Sequence, residues 1–238
     1  MNMIFMLGIF TVIFFVSLFL LCVYRRKINT KIANICFIVA DVLFYFCWNI
    51  AAYHAGWLDG GGWMTIENIS PMIVTVIPMT PIMNERVRDY AYSAIALLAP
   101  GMFAAMLISP EHAYLFTFHT EANFIYTSEA ACHLLCALFG CYLVLTKQVK
   151  VDFRHWVKAI VFLYSIISFG VFLNFVFHRG YFGMDPYGDY SIYMLDIFGS
   201  FPATLIAYYL GVAMVVTLGM QLLLLLSRYT LKEEQHHL

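Results

Sequence analysis

The stretch NMIFMLGIFTVIFFVSLFLLCVY (residues 2–24) is an almost unbroken run of apolar side chains, and RRK (residues 25–27) follows it directly. A helix of about 23 residues is about 35 Å long, and the hydrocarbon core of a bilayer is about 30 Å thick. The stretch therefore predicts a membrane-spanning anchor. Residues 25–27 are expected in the cytoplasm and the N-terminus outside.

The composition extends this interpretation to the whole chain. Of 238 residues, 63% are hydrophobic and 11% are charged, whereas soluble domains carry roughly 25% charged residues. Lipid must cover much of this apolar surface. A formal net charge of −1 argues against a nucleic-acid binder. We therefore expect an all-α, polytopic membrane helix bundle, a single transmembrane domain over residues 1–238 in the plasma (cytoplasmic) membrane.

Apolar segments along the chain predict about seven spans. The predicted spans are residues 2–24, 32–53, 66–83, 90–109, 123–146, 156–177 and 202–227. Residues 191–201 predict a separate interfacial or re-entrant piece, because Pro202 ends or kinks a helix at the preceding residue. The third span contains Pro71, Pro78 and Pro81. Such a broken helix often lines a cavity, and a kinked packing helix is the alternative.

Basic residues divide unequally between the two sides of this predicted bundle. One side receives twelve of the 13 Lys and Arg residues. These are Arg25, Arg26, Lys27, Lys31, Arg86, Arg88, Lys147, Lys150, Arg154, Lys158, Arg228 and Lys232. The other side receives Arg179. Because cytoplasmic loops carry the excess of Lys and Arg, this distribution predicts an outside N-terminus and a cytoplasmic C-terminus.

Three Asp, Glu or His residues lie deep within the predicted spans, where charged groups are costly and usually face the bundle interior. Asp41 is near the middle of the second span, and Glu129 and His133 are four apart on one face of the fifth. A carboxylate beside an imidazole can orient it and raise its basicity, as an acid/base pair requires. The alternative is a structural hydrogen bond to neighbouring spans, with Asn174 and Asp196 as the expected partners.

The six cysteines all fall in apolar stretches, which predicts no disulfide framework. Cys132 and Cys136 share a helix face and are expected to be small core residues. No spacing of His and Cys predicts a metal site. We therefore expect neither a metal nor a cofactor.

Three features of the sequence carry a resemblance to a known family. NFVF (residues 174–177) is followed by SIYMLDIFGSFP (residues 191–202), His133 stands nine residues before Tyr142, and APGMFAAMLISP (residues 99–110) is rich in small residues. In these features, over roughly residues 30–228, the chain resembles the YwaF/transmembrane-protein-164-like family of polytopic membrane proteins.

The resemblance implies, by extension, a membrane-embedded lipid enzyme. Animal members of the family look like phospholipid acyltransferases, and distant relatives hydrolyse fatty-acid esters. The family tends to carry Pro followed by Cys or His near the outer end of the third span, where this chain has Ser70, Pro71, Met72 and Ile73. Met and Ile cannot act as nucleophile and base. Either Ser70 or Thr75 has become the nucleophile, or this member has lost the reaction.

Two functions remain open from the sequence. The first is a non-catalytic or partner-bound membrane component with a polar intramembrane cavity open to the outer face. Its candidate binding residues are Asp41, Asn174, Asp196 and Glu67. The alternative is a lipid acyltransferase or acyl-ester hydrolase. Its candidate catalytic residues are Ser70 or Thr75 as nucleophile, His133 as base, and Glu129 or Asp196 as the orienting group. The expected partners are membrane lipid and, in the partner-bound case, another membrane protein subunit, but no nucleic acid.

Overall fold

In this computed structural model, residues 3–54, 69–108, 124–178, 180–183 and 199–236 are described. Their regular secondary structure is helical throughout, which confirms the all-α prediction for this part of the chain. The seven described α-helices are α1 (Met3–Tyr24), α2 (Thr30–His54), α3 (Ile69–Met79), α4 (Glu85–Ile108), α5 (Phe124–Leu145), α6 (Phe153–Phe177) and α7 (Phe201–His236). Two 3-10 turns, Thr80–Ile82 and Tyr181–Gly183, follow α3 and α6.

Side-chain contacts between helix ends show that the short connections meet at one end of the bundle. The Tyr142 hydroxyl, near the end of α5, donates to the carbonyl oxygen of Thr30 at the start of α2 over 3.2 Å. The Lys158 ammonium, near the start of α6, lies 2.5 Å from the Asp89 carboxylate near the start of α4. We call this end, formed by residues 25–31, 83–89 and 146–158, the basic end.

α4 is the central helix and packs against α5, α6 and α7. Almost every side chain from Ala91 to Phe103 is buried. Glycines let the neighbours approach its backbone closely: a Cβ on Gly140 of α5 would lie 3.1 Å from the Ile95 carbonyl oxygen, and one on Gly219 of α7 would overlap the Leu97 carbonyl. Small residues at crossings are a common packing device of membrane helices.

Five of the described helices, α1, α2, α5, α6 and α7, are long and apolar enough to cross a membrane. α3 has 11 residues and is about 17 Å long, which is shorter than the roughly 30 Å hydrocarbon core. α4 has 24 residues and begins with a charged turn. The structure therefore supports a multi-span membrane protein, while the count of seven spans and the side of each terminus stay predictions.

Large apolar side chains are exposed along the outer faces of four of these helices. They include Phe5, Phe15 and Phe19 on α1, Ile35, Val39 and Leu43 on α2, Phe169 and Phe172 on α6, and Leu210, Met214 and Leu225 on α7. Exposed apolar surface on this scale is expected to face lipid.

The helices differ from the predicted segments mainly at their ends. α4 begins at Glu85 rather than at residue 90, because Asn84 caps its first turn: the Asn84 side-chain oxygen accepts from the backbone N–H of Val87 over 2.9 Å. α7 begins at Phe201, one residue before Pro202, and Gly199 ahead of it has a left-handed φ of 68°. Residues 191–198 of the predicted interfacial piece lie outside the described residues.

Candidate intramembrane site

Asp41 is on α2, where its side chain faces α5 and is 1% exposed. Counting helical rise from Thr30, it is roughly 16 Å from the basic end, close to the middle of a bilayer. Its Oδ1 accepts a weak hydrogen bond from the Cys136 thiol over 3.9 Å. Its Oδ2 is buried and has no hydrogen-bond partner among the described residues. The carboxyl therefore sits in the bundle core with its polar atoms largely unsatisfied.

The facing surface of α5 is a polar stripe within an apolar helix. Glu129, Cys132, His133 and Cys136 follow one another at helical spacing, so they lie on one face. The Cys132 thiol is within electrostatic range of both Asp41 and Glu129. Both cysteines are buried in the core, as predicted, but their place beside Asp41 was not predicted. Their spacing relative to Glu129 was the available signal.

His133 is part-buried, and its ring is held by its own helix. Nδ1 lies 2.8 Å from the backbone carbonyl oxygen of Glu129. Because a carbonyl only accepts, Nδ1 must carry the proton, and the lone pair of the neutral ring is then on Nε2. The orienting group for the imidazole is therefore the Glu129 backbone, and this hydrogen bond does not involve the carboxylate.

α3 contributes the candidate nucleophiles. The Thr75 hydroxyl is 3.5 Å from the Tyr45 hydroxyl, which connects α3 to the face of α2 that carries Asp41. Ser70 lies in the first turn of α3. The helix contains Pro78 and changes to a 3-10 turn at Thr80, where the Thr80 hydroxyl donates to the Ile77 carbonyl over 2.8 Å.

A second buried polar group lies two turns from Asp41 on the same face of α2. The Trp48 side chain is 2% exposed, and its Nε1 has no hydrogen-bond partner among the described residues. An indole N–H is a donor only, so among the described residues this group has no acceptor. Within the described part of the chain, α2 thus carries one buried acceptor without a donor, Asp41 Oδ2, and one buried donor without an acceptor, Trp48 Nε1.

Asn174, on α6, is hydrogen-bonded to the turn that follows that helix. Its Nδ2 donates to the Tyr181 carbonyl over 3.0 Å, and its Oδ1 accepts from the Tyr181 backbone N–H over 2.8 Å. These bonds hold the 3-10 turn against α6. Glu67 and Asp196, the other two binding candidates, lie outside the described residues.

The basic end carries a charge network that sequence analysis did not identify. Asp89 lies between Lys158, at 2.5 Å, and His155 Nε2, at 4.0 Å. His155 Nδ1 also lies 2.7 Å from the Asp152 carboxylate. Burial raises the pKa of Asp152, but hydrogen bonds from the backbone and ring of His155 outweigh it and bring the pKa below its ordinary value. Asp89 and Asp152, acidic residues among the basic loops, were the signal for this network.

Among the described residues, no group of three or more His, Cys, Asp or Glu side chains has the arrangement of a metal site. Comparison with known proteins finds no matching family model, no similar curated protein and no similar solved structure. The resemblance to the YwaF-like family therefore stays a prediction from the sequence motifs.

Proposed function

We propose that this chain is a non-catalytic, multi-pass component of the plasma membrane whose bundle carries a proton- or cation-binding carboxyl at Asp41. The environment of Asp41 carries the proposal: the side chain is 1% exposed, and Oδ2 has no hydrogen-bond partner among the described residues. A charged side chain at bilayer depth costs roughly 2.5–3.5 kcal/mol even on insertion scales. A bound proton or small cation would neutralise the Asp41 carboxylate and so remove this cost. Such binding favours a transport or coupling role.

The surroundings of Asp41 support the same role. α3, which contains Pro78 and ends at Met79, packs beside α2, and the Thr75 and Tyr45 hydroxyls lie at that contact. In this proposal, the polar path continues to the outer face through Glu67 and Asp196, and lipid or another membrane subunit completes its walls.

Membership of the YwaF-like family is part of the proposal. The residues of this chain at the place where the family carries Cys or His support a non-catalytic role. Met72 and Ile73 occupy that position and are 2% and 1% exposed. They are ordinary core side chains of α3 and offer neither a nucleophile nor a base. The chain is therefore proposed to retain a polar intramembrane site without the family's chemistry.

Carbodiimide labelling tests the proposal directly. Dicyclohexylcarbodiimide is apolar and forms a stable adduct with protonated carboxyl groups in apolar surroundings. We expect an adduct on the peptide that contains Asp41 and none at that peptide in Asp41→Asn. In proteoliposomes with an internal pH-sensitive dye and a potassium diffusion potential, Asp41→Asn should abolish proton uptake.

Glu129→Gln is the matched control, since it removes the other described carboxyl of the interface with the same change of charge. It should retain both the Asp41 adduct and proton uptake. An unlabelled Asp41 peptide, together with equal proton fluxes in wild type and Asp41→Asn, would contradict the proposal.

The lipid-acyl enzyme is the second candidate, and the tautomer of His133 favours it. With Nδ1–H bonded to the Glu129 carbonyl, Nε2 has the lone pair that a general base needs. In this case His133→Ala should abolish acyl transfer or ester hydrolysis on phospholipid substrates while the protein still inserts and folds. If His133 is structural, the same change should lower thermal stability and leave activity in proportion to the folded protein.

A further inference from the structure

Within the described part of the chain, three buried side-chain nitrogen or oxygen atoms have no hydrogen-bond partner, and all three are on α2. They are Asn34 Oδ1, Asp41 Oδ2 and Trp48 Nε1. Successive members are seven residues apart, which is close to two helical turns, so the three side chains share one face of the helix. That face meets α5, because Asp41 contacts Cys136 and Asn34 donates to Gln148, just after α5, over 3.2 Å.

An aromatic cluster separates Asn34 from Asp41. Phe37 lies between them along α2, and its ring packs against Phe139 and Tyr142 of α5, with ring centroids 5.1 and 5.0 Å apart. Hydrophobic constrictions close a path by excluding water. The stretch of the interface that begins at Asp41 is therefore closed toward the basic end, and Asn34 lies outside it.

Asp41 and Trp48 need hydrogen-bonding partners of opposite kinds. A carboxylate oxygen accepts, whereas an indole N–H only donates. A metal ion would satisfy Asp41 alone, because a cation has no electron pair to offer the Trp48 N–H. Water both donates and accepts, and a buried water typically makes about three hydrogen bonds to polar groups of this kind. The two residues are about 10 Å apart along the helix axis, a distance that about three waters span at about 2.8 Å for each hydrogen bond.

Polar contacts along the same stretch are long. The Cys136 sulfur is 3.9 Å from Asp41 Oδ1, and the Thr75 hydroxyl of α3 is 3.5 Å from the Tyr45 hydroxyl. Tyr45 is four residues after Asp41 and three before Trp48, so it is on the same face of α2. Its ring meets the Trp48 ring edge-on, with centroids 6.2 Å apart. Polar groups at such separations are suited to bridging by water.

We propose that α2, α3 and α5 hold a file of water molecules between Asp41 Oδ2 and Trp48 Nε1. The water at one end donates to Asp41, and the water at the other end accepts from Trp48. The file also identifies the ligand of Asp41 as a proton rather than a metal ion, and this part alone rests on the function proposed for Asp41. In the transfer, an O–H bond of a hydronium ion breaks, an Oδ2–H bond forms, and a neutral water stays in the file.

Hydroxyl-radical labelling of the full chain in detergent tests for these waters. A short X-ray pulse forms radicals from water, so a buried side chain is oxidised where a water lies beside it. Cys136 and Cys141 are a matched pair, because both are on α5 and they are 4% and 3% exposed. Of the two, Cys136 is the one that contacts Asp41. Mass spectrometry of the peptides should find oxidation at Trp48 and Cys136 and none at Cys141.

Two substitutions at Asp41 show whether the waters depend on its oxygen atoms. Asp41→Leu removes the acceptor at one end of the file, so oxidation of Cys136 should fall to the level of Cys141. Asp41→Asn is the matched control, since it keeps a side-chain oxygen that accepts from water, and oxidation of Cys136 should persist. No oxidation of Trp48 and Cys136 in wild type, or equal oxidation of Cys136 and Cys141, would overturn the proposal. The wild-type comparison needs no variant and decides the matter even where Asp41→Leu does not fold.

The water file and the function proposed for Asp41 fail in different ways. Oxidation of Cys136 together with equal proton uptake in wild type and Asp41→Asn would support the water file and refute the assignment of the proton. Proton uptake that depends on Asp41, without oxidation of Trp48 and Cys136, would overturn the water file and leave the function of Asp41 standing.

Discussion

Asp152 lies just before α6, where its carboxylate accepts two hydrogen bonds from His155. The His155 backbone N–H is 2.8 Å and its ring Nδ1 is 2.7 Å from Oδ1. Burial raises the pKa of Asp152, but these bonds and the nearby charges bring it below its ordinary 3.8. We expect Asp152→Ala to destabilise the protein by about 1 kcal/mol at neutral pH, the usual cost of a lost N-cap. Chemical or thermal unfolding in one detergent measures the change.

The effect of Asp152 has a defined pH dependence, because its folded-state pKa lies below its unfolded-state pKa. Its stabilisation is complete above the unfolded-state value and is lost as the pH falls through the folded-state value. The difference between wild type and Asp152→Ala should therefore shrink below about pH 4. Asp152→Asn, which keeps a capping oxygen, should retain most of the stability at pH 7. A difference that does not shrink below about pH 4 would contradict this account.

At the scale of residues, the cost of placing ionisable groups in lipid makes Asp41 recognisable from the sequence. The contact between Asp41 and Cys136 cannot be predicted from the sequence in this way, because 95 positions separate the two residues. Helical spacing gives the face that each residue occupies on its own helix, but it does not say which helix that face meets. The Asp152 cap was available from the sequence, since an Asp just before a helical segment is a common start signal.

At the scale of elements, α4 and α7 cross where two glycines meet. A Cβ on Gly101 would lie 2.7 Å from the Val215 carbonyl oxygen, and a Cβ on Gly219 would overlap the Leu97 carbonyl. Backbone atoms cannot move aside as side chains do, so Gly219→Ala should cost at least the roughly 1–3 kcal/mol of an overpacked core. The apparent Tm in detergent and the monodisperse fraction on size exclusion are the measurements.

Gly211→Ala is the control for this crossing, because it makes the same chemical change on the same helix. Nothing lies within 4 Å of a Cβ built on Gly211. Alanine also stabilises a helix relative to glycine by roughly 0.8–1 kcal/mol. Gly211→Ala should therefore leave the apparent Tm unchanged or raise it, while Gly219→Ala lowers it. Equal behaviour of the two variants would mean that α4 and α7 do not cross at these glycines.

Hydropathy and proline positions anticipate much of the element pattern, but they do not define helix ends where polar turns continue a helix. α4 begins at Glu85 and α6 at Phe153, both ahead of the apolar segments that predicted them. The reason is local: Asn84 and Asp152 cap first turns that are solvated and charged. Hydropathy detects the part of a helix that enters lipid, whereas hydrogen bonding decides where the helix starts.

At the scale of the whole molecule, the all-α architecture follows from composition, because lipid leaves a chain of this kind only helices with satisfied backbone bonds. The burial of α4 does not follow from composition. α4 is less apolar than α1, yet it is the central helix because small residues let its neighbours approach closely. Average hydropathy therefore identifies the lipid-facing helices better than the central one.

The contacts at the basic end lead to a prediction that distinguishes a bundle of seven spans from one of five. In a seven-span bundle α3 and α4 both cross, and the turn between them lies on the side of the α5–α6 connection. In a five-span bundle these two helices form a hairpin that enters from the opposite side. The Lys158–Asp89 ion pair brings the start of α4 beside the start of α6, which favours seven. Cysteines introduced at the exposed residues Arg86 and Arg154 should therefore react with a membrane-impermeant maleimide from the same, cytoplasmic side.

A cysteine introduced between Trp57 and Trp63 should react with the same maleimide from outside the cell. This expectation follows from the positive-inside rule, because twelve of the 13 Lys and Arg residues belong to the other side. The native cysteines all belong to apolar stretches, so their background labelling in the unsubstituted chain serves as the blank. Labelling at residue 154 but not at residue 86 from the cytoplasmic side would contradict the seven-span arrangement. Labelling of the segment between Trp57 and Trp63 only from that side would reverse the whole orientation.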